Sequence, residues 1–280
     1  MLYIENERFR LGAVSTGAEL RSFVDKTGGD YEYLWQGGEI WNGCSPLLFP
    51  VVGKLKDDSY TLNGTPWKLE KHGFARKTDF AVEEHTAESI TFIMTDSEAT
   101  RRSYPFAFAL RVTFALTETG FAMTHRVKNT GGETMHFSLG AHPGFQCDMG
   151  DVLVMDEPET AAAYKLDENF LRGAVQQPVF DASRELVITP ELFEKDALIF
   201  DGLRSRGCTL RRAAGRNVHV DFGGAPCLGV WAKPAAPYVC IEPWYGIDDA
   251  WNAGGELAQK YRIQSLAAGE EFVFTVTVDV

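Results

Sequence analysis

Phe106-Ala-Phe-Ala-Leu-Arg-Val-Thr-Phe-Ala-Leu116 alternates with period two. Phe106, Phe108, Leu110, Val112, Phe114 and Leu116 fall on one side of an extended chain, and mostly small or polar residues fall on the other. After Thr117-Glu-Thr-Gly120 the alternation resumes with Phe121, Met123, His125 and Val127, so the two runs read as an antiparallel hairpin. The same signature recurs along the chain. Tyr60–Trp67 carries Asn63-Gly64, a turn pair whose members both tolerate positive φ. Phe80–Glu84 with Ser89–Thr95, Val218–Phe222, Leu228–Ala232, Tyr238–Ile241 and Phe272–Val280 add further short β runs. Helix signals are confined to Ser97–Ser103, which starts on a capping residue and stops before Pro105, and to Thr189-Pro190-Glu191. The expected fold is all-β, a large antiparallel sandwich with a few short helices.

At 280 residues, with 45% hydrophobic and 24% charged, the chain can bury a large core. It shows no repeat, low-complexity stretch or linker long enough to separate two cores, so one domain over 1–280 is expected. The net charge of −12 repels phosphate backbones and anionic lipid heads, which argues against nucleic acid and membrane as partners. Five scattered cysteines without a C-x-x-C pair read as reduced core thiols. The start, MLYIENERFRLG, has no apolar core of a signal peptide, and no run of about eighteen apolar residues occurs, so the expected location is cytoplasmic. Monomer and homodimer remain equally open.

Three segments place an ionisable side chain among glycine, proline or aromatics where a strand should end: Lys71-His-Gly-Phe-Ala-Arg76, Leu139-Gly-Ala-His-Pro-Gly-Phe145 and Val239-Cys-Ile-Glu-Pro-Trp-Tyr-Gly246. His72 precedes a glycine that lets backbone approach a ligand, or it satisfies a turn carbonyl. His142 follows the apolar face of Met135, Phe137 and Leu139 and precedes a Pro-Gly turn, or it is a solvated turn histidine. Glu242 follows the apolar Tyr238–Ile241 and precedes Pro243 and Trp244. Partial desolvation there raises a carboxyl pKa and suits it to proton transfer near neutrality; the alternative is a solvated strand end. Trp244 and Tyr245 offer aromatic faces for the C–H side of a sugar, or are plain core. His125 reads as a neutral core imidazole, and His85, His136 and His219 receive no role.

Two histidines and a glutamate are also a zinc ligand set, but the compact H-E-x-x-H spacing is absent and no metal is expected. No G-x-S-x-G, P-loop or G-x-G-x-x-G segment precedes a helix, which removes support for serine hydrolase, nucleotide-hydrolysing and dinucleotide chemistry.

Taken in order, these segments resemble the aldose 1-epimerase (galactose mutarotase-like) family, and HGFAR, AHPGF and CIEPW are most similar to its LacX-type branch. Pro46–Leu55, Tyr60–Gly64, Tyr104–Phe108 and Val127–Asn129 extend the likeness. The resemblance implies a single-domain β-sandwich that interconverts α and β anomers of a free hexose without a cofactor. It implies His142 as general acid, Glu242 as general base and His72 as a second histidine that binds and polarises the sugar. Lys54 stands where many members have an arginine, and lysine supplies a point charge in place of a planar fork. Arg76 is the candidate replacement, and Asp201 and Trp244 are the remaining candidates for binding substrate. A non-catalytic carbohydrate-binding protein and a hexose-6-phosphate 1-epimerase are the alternatives on the same scaffold. A glycosidase would want a second carboxylate, and none is placed.

Overall fold

A computed structural model of the chain describes the backbone of residues 1–280 and every side chain outside residues 174–177. Nearly all its regular structure is antiparallel strand, with one α-helical turn, Glu98–Arg101, closed by a capping box between Ser97 and Thr100.

The strands Phe108–Leu116 and Gly120–Asn129 pair as the sequence predicts, with Phe121 opposite Leu116 and Val127 opposite Leu110. They sit in the middle of a nine-stranded sheet, beside the C-terminal strand Glu271–Asp279. A seven-stranded sheet is built around Tyr238–Tyr245 and Cys227–Trp231. One contiguous cluster of buried side chains takes Leu110, Val112 and Phe114 from the first sheet and Val230, Val239 and Ile241 from the second. The two sheets therefore share one core, which makes the fold a sandwich. A four-stranded N-terminal sheet, Leu2–Glu5 to Tyr31–Glu32, and the hairpin Ser59–Leu62/Thr65–Lys68 flank it. At the hairpin tip Asn63 and Gly64 both have positive φ (52° and 77°), as a two-residue turn of this hand requires.

Period two in the seven-stranded sheet positions the site. In Tyr238–Tyr245 the residues Val239, Ile241 and Tyr245 join the main core, while Cys240, Glu242 and Trp244 alternate to the opposite face, where Cys240 still packs against the main core and Trp244 joins a second cluster. On the neighbouring strands Trp231 and Ile199 share that outer face. A second apolar cluster, including Leu48, Val52, Leu166, Ile199, Cys227 and Trp244, floors it. All five cysteines are free and buried. No helix among the described residues is long and apolar enough to cross a membrane.

His125 lies in the core phase expected of it, stacked on Phe274 with ring centroids 5.4 Å apart. Burial pushes its pKa from 6.5 down to about 4, against a hydrogen bond to the Phe274 backbone that acts the other way. Between those values the unfolded chain takes up a proton that the folded chain refuses. The stabilising contribution is complete above about 6.5 and declines as pH falls through the window, by up to about 1.4 kcal/mol per pH unit. Urea unfolding at stepped pH should show a slope between about pH 6 and 5 that is shallower by roughly 1 kcal/mol per unit in His125→Leu. An unchanged slope would acquit His125.

Candidate active site

Strand pairing brings His142 to Glu242. Gly140 pairs with Trp244 and Gly144 with Cys240, and between them Ala141 N–H donates to Pro243 O while Ile241 N–H donates to Pro143 O, both at 3.1 Å. The turn Ala141-His142-Pro143 thus lies directly across from Glu242, and His142 Nε2 stands 3.1 Å from Glu242 Oε2. The strand does not end at Ile241 as its sequence suggests. It continues through Glu242 to Tyr245, because Pro243 gives up only its N–H while its carbonyl still pairs.

His72 is held by backbone. The chain turns through positive φ at His72 (65°) and Gly73 (66°), His72 N–H donates to Gly53 O at 2.9 Å, and Gly53 N–H donates to His72 Nδ1 at 3.1 Å. Accepting at Nδ1 places the proton of the neutral ring on Nε2, a donor. The ring stands nearly perpendicular to His142, centroids 6.2 Å apart. Gly53 itself has φ 70°, and a Cβ there would lie 2.2 Å from the Asp248 carboxylate. Only glycine lets this segment serve His72 on one side and Asp248 on the other. Asp248 accepts from Lys54 N–H at 2.7 Å and is 1% exposed.

These groups line a cavity of about 480 Å³, in the range of small-molecule sites (about 300–1,000 Å³). Trp41 and Trp231 wall it, with Trp41 5.4 Å from the His142 ring and 5.3 Å from Trp231 between centroids. Arg76 also lines it, its Nη2 donating to Lys71 O at 2.9 Å. Lys71 lies 3.6 Å from Asp196 and over the Phe170 ring.

Burial governs the electrostatics. It holds Glu242 well above the usual carboxylate range, reinforced by the Asp196 charge and opposed by Lys71. It pushes His142 from 6.5 down to about 3, with the charges of Lys71 and Arg76 in the same direction and a backbone hydrogen bond opposing. His72 lies well below its ordinary value for the same reason, with the Lys71 charge adding to it. Asp248 is raised by burial, and Lys71 counters it. Burial thus disfavours the charged form of each partner in the His142–Glu242 pair.

Of the residues singled out from the sequence, His72, Arg76, His142, Glu242 and Trp244 line the cavity. Two do not. The Lys54 side chain turns to Asp58, Nζ to Oδ2 3.1 Å, and only its backbone N–H serves the site, through Asp248. Asp201 is taken by Arg262 (2.6 and 3.0 Å) and by the Tyr261 hydroxyl (2.7 Å), away from the cavity. Tyr245 also leaves the site, packing on Phe272 and Phe274. Trp244 is 2% exposed, packed against Gly140 and Gly229, so Trp41 and Trp231 provide the accessible aromatic surface. Sequence reasoning missed Trp41, Trp231 and Asp248. Asp248 follows the third segment by two residues, and that proximity was the available signal.

The aldose 1-epimerase family model matches residues 1–277. Protein LacX (chromosomal) of Lactococcus lactis subsp. lactis is 32% identical over 278 residues, covering 93% of this chain and 92% of that protein. Among solved structures, a galactose mutarotase related enzyme from Lactobacillus acidophilus superposes with a TM-score of 0.94 at 36% identity, covering 99% of this chain and 96% of the other. A galactose mutarotase-like protein from Lactobacillus casei gives 0.94 at 28% identity, covering 100% and 99%. With the match extending over nearly every residue, the chain belongs to the aldose 1-epimerase family.

Proposed function

We propose that the protein is a mutarotase that opens and recloses a free, unphosphorylated hexose, with Glu242 as base and His142 as acid. The observation that carries this reading is the buried carboxyl–imidazole pair, 3.1 Å apart, in the lining of a half-open cavity of mixed polarity. Glu242 removes the proton of the C1 hydroxyl, His142 protonates the ring oxygen, and the C1–O5 bond breaks to give the open aldehyde. Rotation about C1–C2 and the reverse transfers yield the other anomer. In this scheme His142 carries the proton when the sugar is bound, and the C1 hydroxyl donates to the Glu242 carboxylate. His72 donates from Nε2, Asp248 accepts from sugar hydroxyls, and Trp41 and Trp231 cover the C–H face.

Two of the basic groups speak for a neutral substrate, since Lys71 is countered by Asp196 and Lys54 points to Asp58; Arg76 and Lys233 also line the cavity and keep their charge, and a phosphorylated sugar tests them. Polarimetry of freshly dissolved α-glucose and α-galactose should show accelerated mutarotation of at least one, undiminished by EDTA. Activity that vanishes in EDTA and returns with zinc would make the His–Glu pair a catalytic metal site. A kcat/KM for glucose 6-phosphate more than about a hundredfold above that for glucose, roughly 2.7 kcal/mol of added transition-state binding, would overturn the neutral assignment.

A further inference from the structure

Cys240 is not used by the proton transfers, yet it lies two residues from Glu242 on the same strand face. One ligand atom from each of Cys240, His142 and Glu242 lies within 4.8 Å of the other two. Glu242 is 1% exposed, and its Oε2 has no hydrogen-bond partner among the described residues. Its 3.1 Å approach to His142 Nε2 lacks hydrogen-bond geometry, so the two atoms are close without being directed at each other. Beside Cys240 the chain carries Gly144, where a Cβ would come within 3.3 Å of Sγ. A thiol, an imidazole and a carboxyl thus converge where two of the three groups border the cavity and the third lies beneath.

We infer that Cys240, His142 and Glu242 form a site for a thiophilic divalent cation, zinc first among them, and that its occupancy shuts off the proton transfers. The inhibition rests on the mutarotase reading; the site itself does not. Sulfur, nitrogen and oxygen are the zinc ligand types, and three protein ligands leave the fourth tetrahedral position open to the cavity. Tetrahedral zinc holds its ligand atoms about 3.3–3.8 Å apart, so binding draws the three side chains, now within 4.8 Å of one another, closer together. Bound thiolate and carboxylate cancel the charge of the ion, so binding releases the thiol proton, and any proton on the carboxyl, to solvent. Apparent affinity should therefore tighten as pH rises.

Cobalt(II) is the probe for occupancy. Added to the full chain without sugar, it should give a near-ultraviolet thiolate-to-cobalt charge-transfer band, lost in Cys240→Ser and Cys240→Ala and retained in Cys208→Ala. Zinc should inhibit mutarotation competitively with sugar, reversibly by EDTA, and more than about tenfold less strongly in whichever Cys240 variant folds. X-ray absorption at the zinc edge of the unmodified protein should show one sulfur at about 2.3 Å and nitrogen or oxygen at about 2.0–2.2 Å. A shell of nitrogen and oxygen alone, or a cobalt band that persists without Cys240, overturns the site. A band with no mutarotation under any metal-free condition keeps the site and sinks the mutarotase reading, so the two failures separate.

Discussion

Glu242→Gln is expected to lower kcat for mutarotation by about 10²–10⁴ while sugar binding largely survives. The substitution keeps the shape of the side chain and its place across from His142, and removes only the ability to take a proton from the C1 hydroxyl. Because Glu242 is 1% exposed and burial already opposes its charge, a neutral amide should not destabilise the fold. Thermal unfolding of the variant should then match or exceed that of the parent, which separates lost chemistry from lost structure. A Glu242→Gln protein that keeps more than about a tenth of the parent kcat would remove Glu242 from the role of base.

How much of this was legible beforehand differs between fold and site. The hairpin Phe106–Val127 declares its period without ambiguity, and both the register and the buried face follow from it. Local turn chemistry was equally legible at Asn63-Gly64. The end of the strand at Glu242 was misread because proline usually marks a boundary, and only cross-strand partners reveal that the pairing runs on. The cavity walls were harder still. Trp41 reaches His142 from a loop a hundred residues earlier, and nothing in its local sequence distinguishes it from a core tryptophan.

Lys54 and Asp201 teach a complementary lesson. Both were candidates by position within a likeness, and position does not fix the direction of a side chain. The backbone of Lys54 does reach the site, through Asp248, so the segment was correctly located while its functional atom was not. Asp201 is consumed by the Arg262 guanidinium, a partner sixty-one residues away that no local pattern announces.

His142→Asn should lower kcat by a similar factor of about 10²–10⁴, and the double variant with Glu242→Gln should be little worse than either alone, because a pair that hands over one proton fails as a unit. The pH profile gives the sharper test. In the free enzyme the pair is active with one proton, so its limbs are macroscopic values of the pair. Burial delays the second proton until His142 titrates, near 3 and far below its ordinary 6.5, and delays departure of the first until well above the ordinary 4.5 of a glutamate. The kcat/KM plateau should therefore have its acid limb below the ordinary 4.5 and its basic limb well above it. Brief pH-jump assays, with enzyme held at neutral pH until mixing, keep the acid instability of the buried histidines out of the measurement. Under those conditions the acid limb should lie below 4.5. A limb at 4.5 or higher would mean that the carboxylate titrates as though exposed to water, and the desolvated pair could not then be the group that moves the proton.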